Sequence, residues 1–168
     1  MFENLFEGKE TTIAKDLKLN LIRLSQDGAL DRPEALLAIL AVATAVEHEP
    51  LKSVARAELS KLDVSPDQVR EASEVAGIMG MLNIYYRFRH MLGKEEDYRN
   101  AGLRMTSLAN PVLGKERFEM LAFAVSVING CENCIRSHEK VLRDTGVSSD
   151  RVHDLARLAA VVKGLKYI

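Results

Sequence analysis

Apolar residues recur along this chain at the three-and-four spacing of helices, and the residues between these runs are ones that start and stop helices. Residues 1–10 read as an irregular or short helical lead. Over 12–26, Ile13, Leu17, Leu19, Leu21, Ile22 and Leu24 give a mostly helical pattern, ended by Asp27-Gly28. Arg32-Pro33 opens a second helix, with proline in the first turn, where its missing N–H costs nothing. The run ALLAILAVATAV that follows is small and apolar on nearly all sides, which predicts burial all round. His48-Glu49-Pro50 breaks that run, and a third helix is predicted over 51–62. Ser65-Pro66-Asp67 starts a fourth, through Val69, Ala72 and Val75. Gly77 and Gly80 are expected to weaken or split it before an amphipathic segment at 81–92 that carries Tyr85, Tyr86, Arg87 and Arg89. After a loop at 93–96, a shorter helix is predicted over 98–108, stopped by Ala109-Asn110-Pro111. The last three helices are placed at 115–128, 131–143 and 150–165, with breaks at Asn129-Gly130 and Thr145-Gly146.

Alternating strand patterns are absent, and Ala, Leu, Glu, Lys and Arg dominate, so the expected fold is all-α. With 168 residues and no linker or low-complexity run, residues 1–168 read as one helical bundle. A weak internal repeat divides it. Val64-Ser65-Pro66-Asp67-Gln68-Val69 matches Val147-Ser148-Ser149-Asp150-Arg151-Val152, a shift of 83 (147 against 64). That shift lays Ala41-Val42 on Ala124-Val125 and Leu59 on Leu142. It also lays His48 on Cys131, Leu51 on Cys134, Leu36 on Glu119 and Ala55 on His138. The expectation is two weakly similar helix-hairpin halves, the N-terminal one non-catalytic and the chemistry confined to 115–165.

Hydrophobic content of 47% is ordinary, and a net charge of −1 gives no reason to expect nucleic acid or an anionic membrane surface. No window has the apolar length of a membrane span. The first residues are acidic where a signal peptide is basic, so the expected compartment is the cytoplasm. Thiols there stay reduced, and a C-x-x-C pair in that setting reads as catalytic or metal-binding rather than as a staple.

That pair is Cys131 and Cys134, the only cysteines, with His138 four residues on. On a helix starting near Cys131, the three share one face. A disulfide closing so small a loop adds little through chain entropy, which suits a redox couple better than a structural bond. Glu119, on the preceding apolar run, would sit roughly 18 Å from Cys131 along a straight helix. A reversal at Asn129-Gly130 would fold the Glu119 face over the cysteines. Thiolate formation would draw on the positive end of the helix and on His138 as proton acceptor, with Glu119 orienting the imidazole. The helix end favours Cys131 as the attacking sulfur; closeness to His138 favours Cys134. Such a pair suits reduction of a peroxide through a sulfenic acid, or thiol–disulfide exchange. The competing readings are half of a zinc site, a surface His138 and a solvated Glu119. His48, His90 and His153 show no partner pattern and read as surface or packing residues. The Tyr85–Arg89 stretch reads as a core edge or an oligomer seam, and the methionines as core filler.

Glu119, eleven intervening residues, Cys131-x-x-Cys134, three more and His138 resemble the signature of the alkyl hydroperoxidase D family, within the all-helical carboxymuconolactone decarboxylase-like superfamily. The segments AKDLKLNL (14–21), GIMGMLNIYYRFR (77–89), GLRMTSLANP (102–111) and FEMLAFAVSVINGC (118–131) are similar to the family's segments in the same order, so the likeness covers most of the chain. The resemblance implies a lipoyl-dependent peroxidase that binds no cofactor or metal of its own. Cys134 would be the peroxidatic residue that forms the sulfenic acid, Cys131 the proton donor and resolving thiol, and His138 and Glu119 the proton relay. Dihydrolipoamide on an acyltransferase subunit would reduce the disulfide. The partner would be the peroxiredoxin alkyl hydroperoxidase C, and the assembly a homotrimer. Alternatives are a redox switch without turnover and a decarboxylase-like enzyme. One departure stands out: some members carry a second histidine between the cysteines, where this chain has Glu132-Asn133. Asn133 does not titrate and Glu132 adds negative charge, so slower direct peroxide reduction is expected.

Overall fold

The structure is a computed structural model that describes residues 1–94 and 96–168; Glu95, in the predicted 93–96 loop, lies outside them. Among the described residues there is no strand. The helices are α1 (Thr12–Gln26), α2 (Arg32–Ala45), α3 (Glu49–Leu59), α4 (Pro66–Leu92), α5 (Lys115–Asn129), α6 (Glu132–Asp144) and α7 (Ser149–Leu165), with 3-10 turns at Glu3–Phe6 and Thr106–Leu108. The all-α expectation holds. No helix among the described residues is long and apolar enough to cross a membrane.

Thr11, Asp31, Ser65 and Ser148 each accept a backbone N–H from the first turn of their helix. Glu34 and Gln68 reach back to complete capping boxes on α2 and α4. His48 caps α3 by accepting the Leu51 N–H at Nδ1, 3.1 Å away, so α3 begins at Glu49 rather than 51.

Two predicted elements differ. Gly77 and Gly80 do not split α4, which runs unbroken from Pro66 to Leu92 and ends at Gly93 in the left-handed conformation, φ 63°. Packing against α2, α5 and α6 supplies what the two glycines withhold in propensity. The helix expected over 98–108 is absent apart from the single turn Thr106–Leu108. Gly102 sits there at φ 62°, which interrupts any helix, and the segment is held by contacts instead. Tyr85 donates from its hydroxyl to the Tyr98 carbonyl, 2.8 Å, and Phe88 packs edge-on against Tyr98.

α2 and α5 form the centre. Ala35 through Ala43 of α2 are all buried, as the featureless apolar run implied, and α5 is buried from Met120 to Ser126. α2 packs on α3, α4, α5 and α7, and α5 on α2, α4, α6 and α7. The repeat holds in the order and spacing of the helices: α5, α6 and α7 begin 83 residues after α2, α3 and α4 (115 against 32, 132 against 49, 149 against 66). Arg151 of α7 ties the halves together, bonding Glu34 of α2 and, at 2.9 Å, Glu116 of α5. Desolvation works against its charge, yet the hydrogen bonds and charges of Glu116 and Glu34 prevail and raise its proton affinity further.

A Cβ built on Gly77 meets nothing within 4 Å. Gly77→Ala should therefore stabilise the protein by about 0.5–1 kcal/mol, read as a rise of ~2–3 °C in the thermal midpoint. A lowered midpoint would show that α4 needs the glycine for close packing.

Candidate active site

The site is built on the junction of α5 and α6. α5 ends at Gly130, whose φ of 64° suits glycine and strains other residues. The N–H groups of Gly130 and Cys131 return to the carbonyls of Val127 and Ser126, 3.2 Å each, and close the end of the helix. Cys131 is then the N-cap of α6, its carbonyl accepting the Ile135 N–H at 2.9 Å. Cys131 and Cys134 are joined as a disulfide across this first turn, Cα–Cα 5.2 Å.

The reversal carries Glu119 back over α6. Its Oε2 lies 2.7 Å from Nδ1 of His138, and both side chains are largely shielded, 17% and 18% exposed. An ionised carboxylate only accepts, so with Glu119 in that form Nδ1 is the donor of this contact and Nε2 is the second ring nitrogen. The two sulfurs differ in access. Cys131 is fully buried, whereas Cys134 keeps 7% exposure and lines a cavity of about 390 Å³ together with Glu119 and His138. Met79, Leu82, Met105, Leu108 and Phe118 give that cavity an apolar wall. Asn83, Tyr86, Arg89, Asn133 and Ser137 supply its polar rim.

The four residues singled out in the sequence are thus gathered at one place. Asn133, not Glu132, faces the cavity; the Glu132 carboxylate is engaged by Arg136 at 2.9 and 3.1 Å, which offsets part of the negative charge expected to weigh on the thiols. With Cys131 and Cys134 joined to each other, no group of three or more His, Cys, Asp and Glu side chains among the described residues is placed to hold a metal ion. Of the remaining histidines, His48 is the α3 cap and His153 pairs with Arg157 at 2.9 Å. The Tyr85–Arg89 stretch is divided: Tyr86 and Arg89 reach the cavity, with Arg89 stacked 5.7 Å from the Tyr86 ring, while Phe88 is exposed.

Sequence reasoning missed a polar bridge behind the site. Asn83 of α4, 1% exposed, donates to the Ser126 hydroxyl and accepts from the Asn129 side chain, 2.9 Å each. The available signal was an amide at a core phase of a helix, next to Leu82.

Comparison with known proteins bears on most of the chain. The model of the carboxymuconolactone decarboxylase family matches residues 97–166, a span that contains all four candidate residues. The alkyl hydroperoxide reductase AhpD of Anaeromyxobacter dehalogenans (strain 2CP-C) is 45% identical over 150 residues, 89% of this chain and 80% of that protein. The AhpD of Mycobacteroides abscessus is 38% identical over 90% of this chain and 86% of its own, and that of Gluconacetobacter diazotrophicus 40% over 89% and 82%. The chain belongs to the AhpD family. For an AhpD-family chain the arrangement has a direct chemical reading: one accessible sulfur, one sheltered sulfur, and an imidazole fixed by a carboxylate beside the accessible one.

After gentle reduction, a brief pulse of iodoacetamide should therefore label Cys134 well ahead of Cys131, as read by peptide mass spectrometry. Preferential labelling of Cys131 would contradict the access the cavity defines.

Proposed function

We propose that this chain reduces alkyl hydroperoxides through a Cys131–Cys134 dithiol–disulfide cycle, as an antioxidant thiol oxidoreductase. One observation carries the reading: the cavity admits Cys134 and excludes Cys131, and sets the Glu119–His138 pair beside the admitted sulfur. The names of the AhpD relatives, which are alkyl hydroperoxide reductases, support it.

The cycle balances on these residues alone. His138, held by Glu119, takes the Cys134 proton. The thiolate attacks the hydroperoxide, an S–O bond forms as O–O breaks, and the departing alkoxide takes a proton from Cys131 to leave as the alcohol. Cys131, now the thiolate, attacks the sulfenic sulfur of Cys134; S–O breaks, and hydroxide leaves as water with the proton His138 had stored. The hydroperoxide is reduced by two electrons and the dithiol oxidised to the disulfide. A dithiol co-substrate restores it. We assign that role to dihydrolipoamide on a lipoyl-bearing acyltransferase subunit, and the outlet for reducing equivalents to a partner peroxiredoxin, alkyl hydroperoxidase C, whose disulfide is reduced by exchange with Cys131 and Cys134. In this reading 115–165 performs the chemistry and the N-terminal half is its scaffold. The repeat supports that division, since Leu36, Leu51 and Ala55, at the positions matching Glu119, Cys134 and His138, are fully buried apolar residues. A homotrimer belongs to the same proposal, and the exposed apolar row Ile84, Phe88, Met91 and Leu92 on α4 supports burial against further copies.

The test is coupled turnover of an organic hydroperoxide with dihydrolipoamide, with and without the peroxiredoxin. Cys134→Ser should abolish turnover, and Glu119→Gln should lower kcat by about 10²-fold. Full activity in Cys134→Ser would overturn the assignment. Activity that survives blocking of both thiols would point instead to decarboxylase-like chemistry on His138 and Glu119, and stoichiometric oxidation without turnover to a redox switch. Placing a second titrating group in the cavity by Asn133→His should raise direct peroxide turnover; an unchanged rate would show that the imidazole of His138 already suffices.

A further inference from the structure

We infer that Asn83 is a positioning residue for the dithiol: it clamps the end of α5 so that the turn bearing Cys131 and Cys134 keeps one geometry. The inference rests on the redox reading of the pair, and it concerns a residue on another helix, about fifty positions away in the chain.

An amide buried to 1% in a helix interior costs stability unless both of its ends are bonded. At Asn83 both are, and both bonds go to the last turn of α5. The Asn83 amide donates to Ser126 Oγ at 2.9 Å, and its carbonyl oxygen accepts from Asn129 Nδ2 at 2.9 Å. One turn further along α4, Arg87 donates to the Asn129 main-chain carbonyl at 2.5 Å. Three bonds from an i,i+4 pair thus hold Ser126 and Asn129. Ser126 also carries the carbonyl that accepts the Cys131 N–H at 3.2 Å, so the clamp is one covalent residue and one hydrogen bond from the cysteine turn. Asn83 lines the same cavity as Cys134.

A leucine at position 83 would fill the core but would take this partner from the buried Ser126 hydroxyl and the Asn129 amide. What the amide adds is direction: it fixes the end of α5 relative to α4 in one register. That matters for a dithiol because the disulfide forms only as readily as one sulfur is presented to the other. With the end of α5 free to move, the dithiol gains conformations that the disulfide does not, and the equilibrium moves toward the dithiol.

The experiment equilibrates the full-length protein with mixtures of oxidised and reduced glutathione and counts free thiols by alkylation and mass spectrometry. Asn83→Ala and Asn129→Ala should each shift the equilibrium about tenfold toward the dithiol, ~30 mV for a two-electron couple. The double variant should shift it no further than the larger single, because the bond that Asn129→Ala removes is one of the two lost in Asn83→Ala. Leu59→Ala, a core truncation in the other half, should lower the thermal midpoint and leave the equilibrium where it is. Unchanged equilibria in both single variants, additive shifts, or an equal shift in Leu59→Ala would each overturn the inference. Asn129→Ala removes only a half-buried side chain at a helix end, so it decides the question even if Asn83→Ala does not fold. Peroxide turnover plays no part in this measurement. A shifted equilibrium in a protein that never turns over peroxide would retain the clamp and remove the proposed activity; turnover with unshifted equilibria would do the reverse.

Discussion

The site depends on a single left-handed residue. Gly130 lets α5 end and α6 begin with almost no chain between them, and that compactness decides where everything else lies. Had the helix run on, Glu119 would sit far from the thiols. With the reversal, the carboxylate meets His138 from across nineteen residues of sequence, and Cys131 becomes the N-cap of a helix rather than the middle of one. Local backbone chemistry and long-range catalytic geometry are the same event here. The reversal is also braced from outside: Asn83 and Arg87, on a helix that packs along both α5 and α6, bind the last turn before the glycine.

The repeat explains why one half of the molecule looks like a rehearsal of the other. α2–α3–α4 and α5–α6–α7 share spacing and order, and His48 caps α3 at the position matching Cys131. Where the second half places a carboxylate, a sulfur and an imidazole, the first places Leu36, Leu51 and Ala55, none of them accessible. The same hairpin can therefore be filled as core or opened as a cavity, according to a few side chains. In this chain the open copy faces α4, which contributes both the apolar wall of Met79 and Leu82 and the amide of Asn83.

The fold was legible in the chain wherever a local rule sufficed. Helix starts at Arg32 and Pro66 follow from proline placement in the first turn, and the burial of α2 follows from a run with no polar face. Two places resisted. Gly77 and Gly80 signal a break by propensity, but three packed neighbours keep α4 whole. The 98–108 stretch has helical spacing, yet Gly102 turns the other way and aromatic contacts to α4 hold the segment as irregular chain. At the site, the spacing of Cys131, Cys134 and His138 was enough to expect a common face, and Asn129-Gly130 to expect a reversal that brings Glu119 to it. It did not say which sulfur meets the cavity, since that depends on α4 and on Met105 and Leu108, residues with no fixed sequence relation to the cysteines. The Asn83 bridge was hidden for the same reason: a buried amide announces that a partner exists, not which one.

What unites these features is the different setting of two cysteines three residues apart. One is open to a pocket and has an imidazole at its side; the other is sealed at the start of a helix, close enough to bond to the first. In the proposed cycle the imidazole takes the Cys134 proton, and the carboxylate of Glu119 is the group that holds its ring. Nitrogen-15 NMR of the His138 ring tests this most directly. The account predicts a proton on Nδ1, hydrogen-bonded in the parent and altered in Glu119→Gln; a neutral ring protonated on Nε2 alone, indifferent to Glu119→Gln, would contradict it.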